Sequence, residues 1–358
     1  MFGKNPLFSL GLTASATLAL LSSCQMTGLR SPSSETLQAN AHIYSDRFAN
    51  YLDGATLGAD QNTYFTHREK IMYIDSKRDI HTLLDLEKVL SNFNHDDVAL
   101  VSVRLAGMTR GHDQSLIAAD YTNHILWQIP YDSTQNKYLP DQLKRLYRNP
   151  EMQQPNDLFS LKNGSILIAD RAKFENSEIK IPGLVWKVAL ERGENEKIIV
   201  TQGDLTGIVA SEEKNLLVVA SARPCFVAAY RLNDWGLQWT KTCEKRFSVD
   251  GMDFNANGLY VPRTSLGRID ILNTTNGELI KSICLLAGNN YGKILTLDNW
   301  NSTTPDCPAP AAGHAPGLNP SSLRFVAPNL LAITFIGRAN DARPEMRGHL
   351  DLLPVQDP

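Results

Sequence analysis

The residues able to do chemistry in this 358-residue chain are oxygen donors placed at regular intervals. Asn156 and Asp157 open the stretch PNDLFSLKNGSILIAD at 155–170, Thr206 opens LTGIVASEEKNLLVVAS, and Asp250 opens VDGMDFNANGLYVPR. Each stands just before a short apolar strand. Side-chain oxygens in that position either satisfy backbone N–H groups and fix a turn, or converge with their counterparts on a ligand. The motifs of other chemistries are missing: there is no GxSxG elbow, HExxH, P-loop or GxGxxG after a strand. The eight histidines have no ligand spacing, and His314, in a Pro-rich loop, reads as solvated. Asp75, Asp120 and Asp170 end apolar runs in a repeating way, which reads as structural.

What must position these donors is a repeat. In 155–170 a polar edge leads into Leu158 and Phe159, turns at Asn163-Gly164, and returns through a β-branched run ending on Asp170. Asn-Gly between two such runs marks a hairpin, because a two-residue type I′ turn needs φ > 0 at both central residues. IMYID, LIAAD, ILIAD, LVVAS, LYVPR and LAITF all read as second strands of such hairpins. They end at 75, 120, 170, 221, 263 and 335, at intervals of 45, 50, 51, 42 and 72. Further strands follow them, such as HILWQI, LVWKVA, FVAAYRL, RIDIL and HLDLLPV. Six units of four short strands predict an all-β, six-bladed β-propeller whose first strands line a central channel. TYF at 63–65 reads as the first strand of blade one, and blade two is expected to start near Val98. Residues 84–98 fit either a short helix or an outer strand. Residues 287–320, rich in Asn, Gly and Pro, are an insertion expected to cap one mouth of the channel. The ring should close against strand material near the N-terminus.

The leader is not part of this fold. Lys4, the apolar run 7–21 and Leu21-Ser22-Ser23-Cys24 resemble a bacterial lipoprotein signal, with residues 1–23 removed and Cys24 lipidated. A simple secretory signal or a membrane anchor is the alternative. Gln25 after the cysteine directs such a protein to the outer membrane, facing the periplasm, with 24–41 as a polar tether and 42–358 as the propeller. A formal net charge of −3 gives no electrostatic case for nucleic acid. Four cysteines remain, and although they allow three pairings, proximity favours Cys225 with Cys243 and Cys284 with Cys307. Their spacing does not suit zinc.

PNDLFSLKNGSILIAD and VDGMDFNANGLYVPRTSLGRIDILNTTNGELIKSI resemble the third and fifth blades of the senescence-marker-protein/gluconolactonase-like propellers. As repeat pattern the resemblance extends over most of 60–350. It implies one divalent ion, often calcium, at the channel mouth, held by a Glu of blade one, Asn residues of blades three and four and an Asp of blade five, acting on sugar lactones or related esters. By position it makes Asn156 and Asp250 metal ligands and Asp250 a candidate general base. The chain departs from that pattern twice. Thr206 stands at the blade-four Asn, and the blade-one position falls near Asp60 and Gln61, with no Glu, so that Asp60 or Asp157 would have to substitute. Two functions of different class follow: a metal-dependent lactone or ester hydrolase, and a non-catalytic propeller that binds a small molecule or a protein partner.

Overall fold

The run at 166–169 is apolar at every position because both of its faces are buried. Ile166 and Ile168 pack with Ile117, Ala119 and Leu126, whereas Leu167 and Ala169 pack with Leu205, Leu217 and Val219. Successive strand residues point to opposite sides, so such a strand can only sit between two neighbouring sheets. Six four-stranded antiparallel sheets, one with a fifth strand, repeat this arrangement in a ring. The computed structural model describes residues 42–43, 52–90, 102–243, 248–285, 294–295, 297, 300–301, 319–336 and 350–355. The protein is a six-bladed β-propeller, as the repeat predicted.

The core is divided among the contacts between blades. Tyr64, Ile71, Met108 and Trp127 join blades one and two; Val218, Val227, Leu259 and Val261 join four and five; Ile269, Ile271, Leu323 and Ile333 join five and six; Leu52, Phe65 and Leu350 join six and one. Each fully buried side chain of this size contributes roughly 1.5–3 kcal/mol. No blade buries both faces alone, so the ring stands as a unit. His42–Ile43 pairs with Leu350–Pro354 as the outermost strand of blade six, so the ring closes through its N-terminal strand as expected.

The innermost strands are Leu52–Leu57, Leu105–Arg110, Pro155–Ser160, Leu205–Ser211, Asp253–Asn255 and Asn319–Ala327. Blade one therefore begins a strand earlier than the sequence suggested. TYF belongs to its second strand, Thr63–His67, and IMYI to its third, Lys70–Ile74. Half-polar LDGATL carries too little apolar patterning to announce a strand. Blade two starts at Leu105, not near Val98, and the ambiguous segment divides into an outer strand, Ile80–Asp85, and the helix α1, Leu86–Leu90.

Cys225 and Cys243 form the expected disulfide, Cα atoms 5.2 Å apart, tying the third strand of blade four to the end of its outer strand. Cys284 is also disulfide-bonded. Its expected partner Cys307, the leader with Cys24, the tether and most of the insertion with His314 lie outside the described residues. Two described parts of the insertion are anchored on blade five. Ile294–Leu295 adds a fifth strand, and Trp300 is buried with its carbonyl accepting from Arg263 and Arg268 at 2.9 and 3.0 Å.

Candidate active site at the channel mouth

The innermost strands start on the same face of the ring, and in blades one to five the residues there form a repeating triplet. Leu52-Asp53-Gly54, Leu105-Ala106-Gly107, Leu205-Thr206-Gly207 and Val249-Asp250-Gly251 share one pattern, while blade three has Pro155-Asn156-Asp157. The glycine lets neighbouring strands approach: a Cβ on Gly107 would stand 2.5 Å from the Asn156 carbonyl oxygen, and one on Gly207 2.7 Å from that of Asp250. The middle residue then faces the mouth. Adjacent blades are stitched there, with Asn156 Nδ2 donating to the Thr206 carbonyl at 2.9 Å and Thr206 Oγ1 to the Val249 carbonyl at 3.0 Å. Gly251 N–H donates to the Ser321 carbonyl at 3.1 Å and Ser321 Oγ to the Leu52 carbonyl at 2.8 Å.

The blade-one position is thus Asp53, not Asp60 or Gln61. Asp60 and Gln61 lie in the turn at the far end of the innermost strand, on the opposite face of the ring. There Asp60 accepts from Asn62 N at 3.2 Å, Asn62 Nδ2 at 2.9 Å and the Tyr64 hydroxyl at 2.7 Å, a structural role. The recurrence of LDG, LTG and VDG is the signal that locates Asp53, and it lies in the polar residues where an apolar-strand search does not look.

Asp53 and Asp250 enter from blades one and five. Among the described residues each accepts a hydrogen bond only from the N–H of its own successor, Gly54 at 2.9 Å and Gly251 at 3.1 Å. Both lie deep in the ring yet keep part of their surface open to the channel. Burial pushes the Asp53 carboxyl up from 3.8 to about 7, with Asp157 adding to the rise and Gly54 N–H, Arg171 and Arg324 opposing it. Burial and then the charge of Asp53 hold the Asp250 carboxyl well above its usual range. Asn156 and Thr206 hold the equivalent positions of blades three and four.

Asp157 belongs to a deeper layer. Standing where blades one, two, four and five have glycine, it accepts from Leu158 N and Ile208 N, both at 2.9 Å, and from Arg324 Nη2 at 3.2 Å. Arg324 reaches across from blade six and donates also to the carbonyls of Met252 at 2.8 Å and Leu158 at 3.1 Å. Asp253 lies 4.0 Å from the same guanidinium and accepts from Phe325 N at 2.8 Å. One buried side chain thus ties blade six to blades three and five across the axis. Asp157 is a structural carboxylate, and the expectation that it substitutes as a ligand does not hold: its oxygens are spent on backbone and Arg324. Asp120 and Asp170 are structural too, accepting from Asn123 and Trp127 and from Gln153, Gln154 and Trp186 respectively.

Arg171, Asp204, Asp253 and Arg324 escaped the sequence reading along with Asp53. Arg171 binds Asp204 through Nε at 2.9 Å and Nη2 at 2.6 Å on the rim between blades three and four. A groove of about 570 Å³ on the opposite face is lined by Lys187, Glu191, Arg192 and Glu196. Its charges of both signs are solvated and converge on nothing, so the mouth is the better candidate site.

The donor chemistry of the mouth suits a hard divalent cation: two carboxylates short of partners and an amide oxygen from Asn156. Among the described residues no three His, Cys, Asp or Glu side chains are grouped to hold a metal, so the amide and water would complete such a shell.

No family model and no curated protein matches the chain. Solved structures do. A gluconolactonase from Xanthomonas campestris aligns with TM-score 0.55 at 14% identity over 87% of this chain and 88% of its own. A calcium-binding protein, regucalcin, from Agrobacterium tumefaciens aligns with TM-score 0.58 at 12% identity over 89% and 96%. The fold is that of the gluconolactonase and regucalcin propellers. A luciferin-regenerating enzyme has it as well, with TM-score 0.56 at 12% identity over 87% and 96%.

Proposed function

We propose that this chain is a divalent-cation-dependent hydrolase of a lactone or related ester, with Asp53, Asn156 and Asp250 holding the cation at the channel mouth. The observation that carries the reading is the pair Asp53 and Asp250, two deeply set carboxylates, both pushed up by burial and Asp250 also by the charge of Asp53, that lack cationic hydrogen-bond partners among the described residues. Such a pair recruits either protons or a cation, because an unpaired buried charge is costly. A gluconolactonase and a calcium-binding regucalcin with the same fold support calcium as the ion and a lactone as substrate.

A hard divalent ion held there by Asp53, Asn156 and Asp250 would supply polarisation of the acyl oxygen and an activated water. Asn156, held by its bond to Thr206, fixes the direction of its oxygen. Asp250 takes the proton of the attacking water as that oxygen bonds to the acyl carbon. The proton passes to the ring oxygen as the acyl C–O bond breaks, leaving a hydroxy acid.

A lactone panel with added calcium or chelator tests this, beside metal analysis of the purified domain. Turnover that needs calcium and disappears in Asp250→Asn is the expected result; no turnover in wild type overturns the hydrolase. A non-catalytic propeller binding a small molecule or a protein partner is the second reading. It is favoured by Thr206, whose hydroxyl is committed to the Val249 carbonyl where the related pattern has a ligand. A calcium-dependent rise in Tm without turnover decides for it.

The leader adds a location: a chain lipidated at Cys24 and held on the outer membrane, its propeller in the periplasm. Fatty-acid labelling should mark wild type and not Cys24→Ser. Equal labelling of both rules this anchor out.

A further inference from the structure

Between blades three and four the mouth carries charge of the opposite sign. Arg171 directly follows Asp170 at the end of a second strand, and Arg223 stands in the equivalent loop of blade four. Asp204, fully buried just before the innermost strand of blade four, receives Arg171 through two bonds and lies 3.9 Å from Arg223 Nε. A third bond, from Ala172 N at 3.3 Å, fixes the carboxylate. Phe174, on the hairpin Lys173–Glu175 and Glu178–Ile181 that blade three raises over this rim, lies under the Arg223 guanidinium at 4.7 Å. Two guanidiniums thus share one carboxylate, leaving a net positive charge.

The geometry of Arg171 decides what that charge can do. Asp204 occupies the Nε and Nη2 edge, and among the described residues the opposite edge, with Nη1, has no partner. The side chain is 30% exposed. Asp53 and Asp250 act on it electrostatically, so this guanidinium and the acid pair share the mouth. A planar fork held on one edge and open on the other is preorganised for a carboxylate.

We propose that Arg171 determines specificity at this mouth by taking a carboxylate of the bound molecule, substrate or product, with Asp204, Arg223 and Phe174 as positioning residues. This builds on the hydrolase reading, in which a hydroxy acid leaves the site, but the binding step stands without it. The site is bipolar: the acid pair takes a cation on one side, and the guanidinium rim takes an organic anion on the other. The class of ligand is a small organic carboxylate, and its uncharged analogue is discriminated against.

Thermal unfolding of the propeller domain with gluconate, glucarate and uncharged glucitol tests this, in chelator at pH 6, where protons relieve the acid pair, and in calcium at pH 8. Gluconate and glucarate should raise Tm in at least one condition, and glucitol in neither. Arg171→Gln combined with Asp204→Asn keeps the buried partner neutral and should abolish the shift. Arg223→Gln, at an exposed position, should weaken binding several-fold with the fold intact. Arg171→Lys retains the charge without the fork and should lose most of the affinity. Equal responses to glucarate and glucitol, no shift in either condition, or a full shift in Arg171→Lys and the folded double variant would overturn the assignment. A calcium shift lost in Asp250→Asn reports separately on the acid pair, so either reading can fail while the other stands.

Discussion

The channel contains two layers of buried aspartates, and they differ in what was built around them. At the waist, Asp157 has two backbone donors and a guanidinium, and Asp253 has the Phe325 N–H and the same arginine nearby. At the mouth, Asp53 and Asp250 each have one short-range N–H and face one another's charge. Residue type and strand position are nearly the same in both layers. Partners therefore separate a carboxylate that holds the ring together from one left available for a ligand.

The largest effect that would break this comparison comes from the waist. Arg324→Leu leaves Asp157 and Asp253 buried without their cation, and breaking such a pair costs about 3–5 kcal/mol. Calorimetry should show Tm lower by several degrees, with no dependence on calcium. If Tm is unchanged, the waist is not structural.

The mouth should respond with the opposite sign. Because the folded value of Asp53, about 7, lies above its ordinary 3.8, its neutral form is favoured by folding. Its contribution to stability is complete below about pH 4 and is lost as pH rises through 7. The calcium-free protein should therefore lose stability between pH 5 and 8 by an amount on the order of 2 kcal/mol. Asp53→Asn or Asp250→Asn should flatten that profile and raise Tm at pH 8. A steeper profile in either variant would contradict the repulsion between them.

Calcium adds an effect of comparable size. At a hundredfold excess over Kd it should stabilise wild type at pH 8 by about 2.7 kcal/mol, and Asp250→Asn should erase the shift. Thr206→Asn adds an amide oxygen to the layer and should tighten calcium roughly tenfold, about 1.4 kcal/mol, as read by titration calorimetry. Weaker binding would mean that the bond from Thr206 to Val249 is needed to shape the mouth.

The smallest effect is expected on the opposite face. Asp60→Asn should lower the unfolding free energy by about 1 kcal/mol or less through its turn and leave calcium binding unchanged. A loss of calcium binding there would restore Asp60 to the site.

By itself the sequence determined the ring. Apolar runs of four or five residues at near-constant intervals, with hairpin turns such as Asn163-Gly164, admit few packings other than blades, because each run must bury both faces. It also favoured the disulfide between Cys225 and Cys243, whose strands are neighbours within one blade, and it singled out Asn156, Thr206 and Asp250 at the starts of their blades. Blade one was less legible, since LDGATL lacks the apolar run that marked the others, and Asp53 was hidden with it. Only the tertiary structure decided which aspartates are structural. Asp157 and Arg324 come from different blades, 167 positions apart, and no local pattern records their pairing. A carboxylate's role here depends on which donors the closed ring brings to it: the waist carboxylates received them, and Asp53 and Asp250 were left facing each other.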